Sequence, residues 1–239
     1  MPRPDGRAPA DLRPISFQRN FTRNAPGSVL ATFGNTRVLC TAMAQDSVPP
    51  FLQGKGKGWL TAEYSMLPSS TETRKQRDRV GATDGRSVEI QRLIGRALRG
   101  VVDLGQLTER TIWVDCDVIQ ADGGTRTCAI SGAWVAVHDL LTWMDGRRIL
   151  RGWPLRSQLA AVSVGIVKGT ALCDLSYAED SQAETDMNLV MTGEGKFIEV
   201  QGSAEGAAFD RGELDQMLEI GSAAIARIFE MQRNCLGKT

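Results

Sequence analysis

The chain has one histidine, His138, in the middle of an apolar run. A core or interface imidazole is the expected role there, so histidine-based nucleophilic catalysis is set aside. Cysteine is sparse too. Cys40, Cys116, Cys128, Cys173 and Cys235 are odd in number and widely spaced, with neither zinc-ligand spacing nor a C-x-x-C pair. They read as reduced core residues of a cytoplasmic protein. No apolar run approaches the roughly 18–20 residues of a membrane span. The first 14 residues lack the apolar core of a secretory signal and are expected to wrap the surface as an extended arm. Both common nucleotide-binding glycine patterns, G-x-x-x-x-G-K-[ST] and G-x-G-x-x-G, are missing. Net charge is missing as well, being +0 overall, which argues against indiscriminate nucleic-acid binding. The charges are nevertheless unevenly spread. Residues 1–110 hold 17 Lys+Arg against 10 Asp+Glu, a basic half of the kind a polyanion-binding surface requires.

What remains is a soluble-type composition, 42% hydrophobic and 23% charged over 239 residues. Its organising stretch is 111–144. Ile112, Val114, Cys116 and Val118 alternate with Thr111, Trp113, Asp115 and Asp117, the period of a strand. Asp122-Gly123-Gly124 then forms a turn. From Thr125 the residues are small or apolar all round, which predicts a helix buried on most faces. Glycines at such a junction let backbone N–H groups approach an anion where the helix dipole is positive. Thr125 adds a hydroxyl and Arg126 a two-pronged cation suited to phosphate oxygens. An ordinary tight turn with a capping threonine would use the same residues.

Other segments supply further candidates. Strands are expected over 15–21, 28–33, 37–44 and 59–66, with 37–44 able to be buried on both faces. The loop 68–85 is dense in cations, including Arg74 and Arg77, as either a solvated loop or a clamp on RNA backbone. A helix over 87–102 has an apolar stripe from Ile90 to Val101. Its polar side bears Glu89, Arg92, Arg96 and Arg99, with Glu89 spaced to meet Arg92 or Arg96. Arg86 sits at its positive end and becomes a second phosphate ligand if the fold brings it near Arg126. A later strand, 183–191, puts Glu184, Asp186 and Asn188 on one face. With Asp180 just upstream, these are hard oxygen ligands suited to Mg²⁺, or an acidic face kept for solubility. A helix over 211–232 closes the chain.

Several segments in fixed order, RPDGRAPADLRPISF, GSVLATFGNTRVLCTA, GWLTAEYSMLPSST, GRSVEIQRLIGRALR, DCDVIQADGGTRTCAISGAWVA, AEDSQAETDMNLVMT and IEVQGSAEG, resemble the bacterial ribonuclease PH family. Those enzymes are phosphate-dependent exoribonucleases that trim transfer-RNA 3′ ends. The resemblance implies an α+β ribonuclease PH fold in which residues 1–239 form one domain. Two β-rich lobes with packed helices, about 1–105 and 106–239, would compose it. It also implies a homohexamer built as a trimer of dimers, in the cytoplasm and with no membrane partner. Arg86, Gly124, Thr125 and Arg126 match the phosphate site, with Arg126 also catalytic. Asp180 and Asp186 match acidic residues near the metal and the scissile linkage. Arg74 and Arg77 match loop arginines that hold RNA, and Arg92 is grouped with them. The implied co-substrate is inorganic phosphate, the metal Mg²⁺, and the RNA a transfer-RNA precursor, with ribosomal RNA ends a further candidate. One departure is Val80-Gly81-Ala82-Thr83-Asp84, where the family usually has more lysine or arginine. Two alternatives stand beside this reading: a catalytically silent RNA-binding ring subunit of an exosome-like assembly, and a small-molecule phosphotransferase.

Overall fold

The computed structural model describes residues 3–77, 84–205 and 208–237. Among the described residues nine strands form two sheets. The first holds β1 (Ile15–Arg19), β2 (Gly27–Phe33), β3 (Thr36–Gln45), β4 (Trp59–Met66) and β5 (Thr111–Gln120), in the order β1-β2-β3-β5-β4. The second holds β6 (Leu159–Val167), β7 (Thr170–Cys173), β8 (Thr185–Thr192) and β9 (Phe197–Ala204), in the order β7-β6-β8-β9. Two long helices, α1 (Gly85–Val101) and α2 (Thr125–Asp145), follow strands of the first sheet. The short α3 (Tyr177–Asp180) and the terminal α4 (Arg211–Cys235) belong to the second half. Among the described residues no helix is long and apolar enough to cross a membrane.

Helix α2 lies between the sheets, against β2 and β3 on one side and β6 on the other. That placement explains a helix apolar on every face. The approach is close: a Cβ on Gly132 would sit 2.6 Å from the Ala31 Cβ and 2.8 Å from the Cys40 Sγ. His138 is buried in this helix, its ring 5.8 Å from Trp134 and 5.5 Å from Trp153.

One connection decides where the functional side chains fall. β4 and β5 are parallel neighbours, with Met66 beside Val118. Parallel neighbours require a crossover, and α1 supplies it. Consequently α1 and α2 both begin beyond the carboxyl ends of adjacent strands, where open α/β sheets collect ligands. Asp84 caps α1 by accepting from the Arg86 N–H at 3.2 Å, and Lys75 reaches the same carboxylate at 2.8 Å. The cap and the loop are thereby tied together.

The structure corrects three sequence expectations. β3 buries one face only; Arg37 and Met43 point outward from a sheet whose helices cover its other side. The sequence reads as a strand over 196–201 followed by a small-residue loop over 202–208, but β9 runs on to Ala204. Glu89 pairs with Arg126 rather than with Arg92 or Arg96, and Arg96 pairs instead with Glu199. The arm does run over the surface, with residues 4–6, 8–10 and 14 exposed, but buried side chains pin it at two points. Arg3 and Arg13 are 5% and 4% exposed. Arg3 clasps Glu179 through Nε at 2.7 Å and Nη2 at 2.8 Å. Arg13 clasps Asp174 through Nε at 3.0 Å and Nη2 at 2.7 Å. The Pro9 carbonyl also accepts from the Cys173 N–H at 2.8 Å, so the arm pairs with the end of β7.

This arm has a measurable acid signature. Burial alone would push the Glu179 carboxyl up, but Arg3 and the Ser176 donors outweigh it and hold it below the ordinary 4.5. A carboxyl depressed by folding adds stability above its unfolded value, and that stability is lost as pH falls through the folded value. The thermal midpoint should therefore decline below about pH 4.5, and Glu179→Gln should flatten that limb. Breaking the buried pair at neutral pH, by Glu179→Ala, should cost about 3–5 kcal/mol in chemical denaturation.

Candidate active site

The turn after β5 is left-handed at both glycines, φ 73° at Gly123 and 64° at Gly124. Only glycine takes such values freely. The position is crowded too, since a Cβ on Gly123 would meet the Leu175 carbonyl oxygen at 2.4 Å. Gly124 is the N-cap of α2 and offers no side chain to the first-turn amides, so those donors stay available to an anion. Thr125 is buried, and its hydroxyl accepts from the Tyr64 O–H at 2.8 Å. Its own proton is thus free to go elsewhere. Tyr64 comes from the carboxyl-terminal half of β4, so the hydrogen bond joins the two parallel strands' exits.

Arg126 is held from both halves of the molecule. Its Nη1 donates to Glu89 Oε1 of α1 at 3.1 Å and to Gln201 Oε1 of β9 at 2.8 Å. Gln201 Nε2 also donates to Glu89 at 3.2 Å, closing a triangle. Glu89 lies one turn after Arg86, on the same side of α1. Arg86 and Arg126 act on the same two groups. Burial raises the Tyr64 phenol, while Thr125 and the charges of Arg86 and Arg126 oppose the rise. Burial also lifts the Asp180 carboxyl above the ordinary aspartate value, and the neighbouring Asp186 adds to that. Arg86 and Arg126 pull it back, and Glu205 lifts it slightly more. Two guanidinium groups and two carboxylates therefore share one electrostatic neighbourhood, placed there by α1, α2, α3 and β8.

Not every candidate joins this group. Among the described residues no three acidic, cysteine or histidine side chains gather as a metal centre. Glu184 precedes β8 and accepts from the Gly169 N–H at 3.4 Å, so the acidic residues acting on Asp180 are Asp186 and Glu205. Arg74 and Arg77 are exposed on the loop after β4, with no part in the triangle. Arg92 lies further along α1, lining a 420 Å³ depression with Val88, Gln91, Arg96 and Arg99. The departure over residues 80–84 falls mostly outside the described residues.

Sequence reasoning missed Tyr64, Gln201 and Glu205, together with the link from Glu89 to Arg126. Tyr64 had a signal, being one of 2 tyrosines and placed on the face that Leu60 and Ala62 make apolar in an alternating strand. Arg13 and Asp174 stand 161 positions apart, with no local pattern to join them.

Fold and site together define a class: a two-sheet α+β protein with an oxyanion-ready helix start, two arginines and two carboxylates at the seam between its sheets. Family models described as 3′ exoribonuclease family, domain 1 and domain 2, match residues 11–141 and 157–224. The chain belongs to the 3′ exoribonuclease family. Proteins named ribonuclease PH from two Synechococcus strains are each 57% identical over 237 residues, 98% of this chain and 98% and 97% of theirs. Among solved structures, rice Rrp46 superposes with a TM-score of 0.80 at 24% identity, covering 99% of this chain and 100% of that one. An Archaeoglobus fulgidus exosome with RNA bound to its active site gives 0.79 at 22% identity, covering 95% and 91%. At such identity these two share the fold alone.

Proposed function

We propose that this protein is a phosphate-dependent 3′-to-5′ exoribonuclease that trims transfer-RNA precursors, with ribosomal RNA ends as further substrates. It works as a homohexamer, a trimer of dimers, in the cytoplasm, each protomer one domain of two lobes. The observation that supports this reading is that Arg86, Arg126 and Asp186 all act electrostatically on Asp180, beside the open N-terminus of α2.

Inorganic phosphate attacks the phosphorus of the last phosphodiester. Its oxygen forms a new bond there as the bond to the 3′-oxygen of the preceding nucleotide breaks. The products are a nucleoside 5′-diphosphate and an RNA one nucleotide shorter. Two anions must meet, so the principal demand is electrostatic. Arg86, Arg126, the Thr125 hydroxyl and the Gly124 amide hold the attacking phosphate in line with the scissile phosphorus. Asp180 and Asp186 offer two hard oxygen ligands, the number of carboxylates with which Mg²⁺ is commonly held beside substrate phosphates. Mg²⁺ held there would supply positive charge to offset the negative charge developing as the nucleotidyl group transfers. In a second version of this step Asp180, whose carboxyl is raised by burial and the adjacent Asp186, passes a proton to the departing 3′-oxygen instead of holding the metal. One phosphodiester is exchanged for one phosphoanhydride, so the reaction runs backwards when nucleoside diphosphate is abundant.

Arg74 and Arg77 hold the RNA backbone and Arg92 adds to its binding. Arg74→Ala with Arg77→Ala should weaken RNA binding and lower the slope of affinity against salt by about two, one for each lost phosphate contact. A binding isotherm at several salt concentrations checks this; an unchanged slope would leave the loop merely solvated. The function itself is tested by incubating the protein with a 3′-extended transfer-RNA precursor, Mg²⁺ and phosphate. Nucleoside diphosphates are the expected product.

A further inference from the structure

Arg13 reaches the underside of the phosphate turn from the arm and takes no part in the chemistry above. One edge of its guanidinium grips Asp174, and the Arg13 N–H donates to the same carboxylate at 2.8 Å. Nη1 donates to the Asp122 carbonyl in a short contact, and Nη2 reaches the Gly123 carbonyl at 3.4 Å. The Thr36 hydroxyl donates to that Gly123 carbonyl at 2.7 Å and accepts from the Asp122 N–H at 2.9 Å. In a planar trans peptide the N–H points opposite the carbonyl. Drawing the carbonyls of Asp122 and Gly123 toward Arg13 therefore turns the N–H groups of Gly123 and Gly124 away from the arm.

The same contacts tie the turn to the segment that ends in Asp180. Asp174 has a φ of 53°, costly for a residue other than glycine and maintained here by its buried partner. From there the chain runs six residues to Asp180. The Asp122 carboxylate also accepts from the Tyr177 N–H at 3.2 Å, and Arg3 clasps Glu179. We propose that Arg13 is a positioning residue for the reaction: it orients the Gly123–Gly124 amides toward phosphate and, through Asp174, sets their spacing from Asp180. The proposal rests on the phosphate-site reading above.

Lysine keeps the charge at this position but cannot span Asp174 and two carbonyls at once. In the full-length chain, Arg13→Lys should raise the phosphate KM about tenfold while the RNA KM stays within about twofold, because a small misplacement of a positioning group costs that order. Circular dichroism verifies the fold. If Arg13→Lys does not fold, Thr36→Val gives the same readout, since it removes the second donor to the Gly123 carbonyl and leaves Asp174 alone. Arg126→Lys runs in parallel. A raised phosphate KM in both the Arg13 (or Thr36) variant and the Arg126 variant supports the proposal. An unchanged phosphate KM in the former, with a raised one in Arg126→Lys, overturns the positioning role alone. Unchanged values in all of them overturn the phosphate site and this role together. Equal rises in phosphate and RNA KM reduce Arg13 to a general prop and also overturn it.

Discussion

Arg126→Ala should lower kcat/KM for RNA shortening by about 10²–10³-fold, the usual cost of removing one preorganised donor from a site where negative charge gathers. The fold should survive. Arg126 is partly buried, its side chain 15% exposed, but its partner Glu89 is 44% exposed, and an ion pair open to solvent on one side is worth about 1 kcal/mol or less. Activity and stability should thus separate cleanly: a near-silent enzyme with a thermal midpoint close to that of the parent. The phosphate KM should rise along with the fall in kcat, because the lost guanidinium engages the attacking anion before and during the reaction. Steady-state rates over a phosphate titration, beside a melting curve, check both. Full activity in this variant would remove Arg126 from the phosphate site.

Asp180→Asn should lower kcat by about 10²–10⁴-fold, the range for a lost general acid. The pH profile carries the sharper signature. Burial first, and then the adjacent Asp186, raise the Asp180 carboxyl above its ordinary value. A proton donor with a raised pKa stays protonated to higher pH, so the fall of kcat on the alkaline side should lie above the usual aspartate range. Asp186→Asn should itself reduce activity or its dependence on metal. Removing that like charge should also let Asp180 ionise more readily, moving the alkaline fall of the residual rate to lower pH. A displacement to higher pH, or a profile identical to the parent's, would take the proton from Asp180.

The parts of this site visible in the sequence are those whose chemistry is local. Alternation over 111–118 marks β5, Gly123-Gly124 marks its end, and the uniformly small and apolar residues from Thr125 mark a helix enclosed on all sides. The stripe from Ile90 to Val101 marks α1 in the same way. Each follows from the period of one element. What the sequence hides depends on which elements the fold brings together. Glu89 has a helical neighbour of opposite charge three residues on, in Arg92, and local spacing favours it. The partner it takes is Arg126, because parallel pairing of β4 and β5 sets the starts of α1 and α2 side by side. β3 reads as apolar on both faces, yet whether the second face is covered depends on where the helices dock. The arm is the extreme case. Arginine and proline over residues 3–14 suggest solvent, and only Asp174 and Glu179, distant in the chain, make burial of Arg3 and Arg13 affordable.

Labelled orthophosphate is the most direct probe of the nucleophile. With a 3′-extended transfer-RNA precursor and isotopically labelled inorganic phosphate, the label should appear in the β-phosphate of every released nucleoside diphosphate, and shortening should stop when phosphate is withheld. Continued shortening in phosphate-free buffer, with nucleoside monophosphates as the product and no label incorporated, would show that water attacks instead.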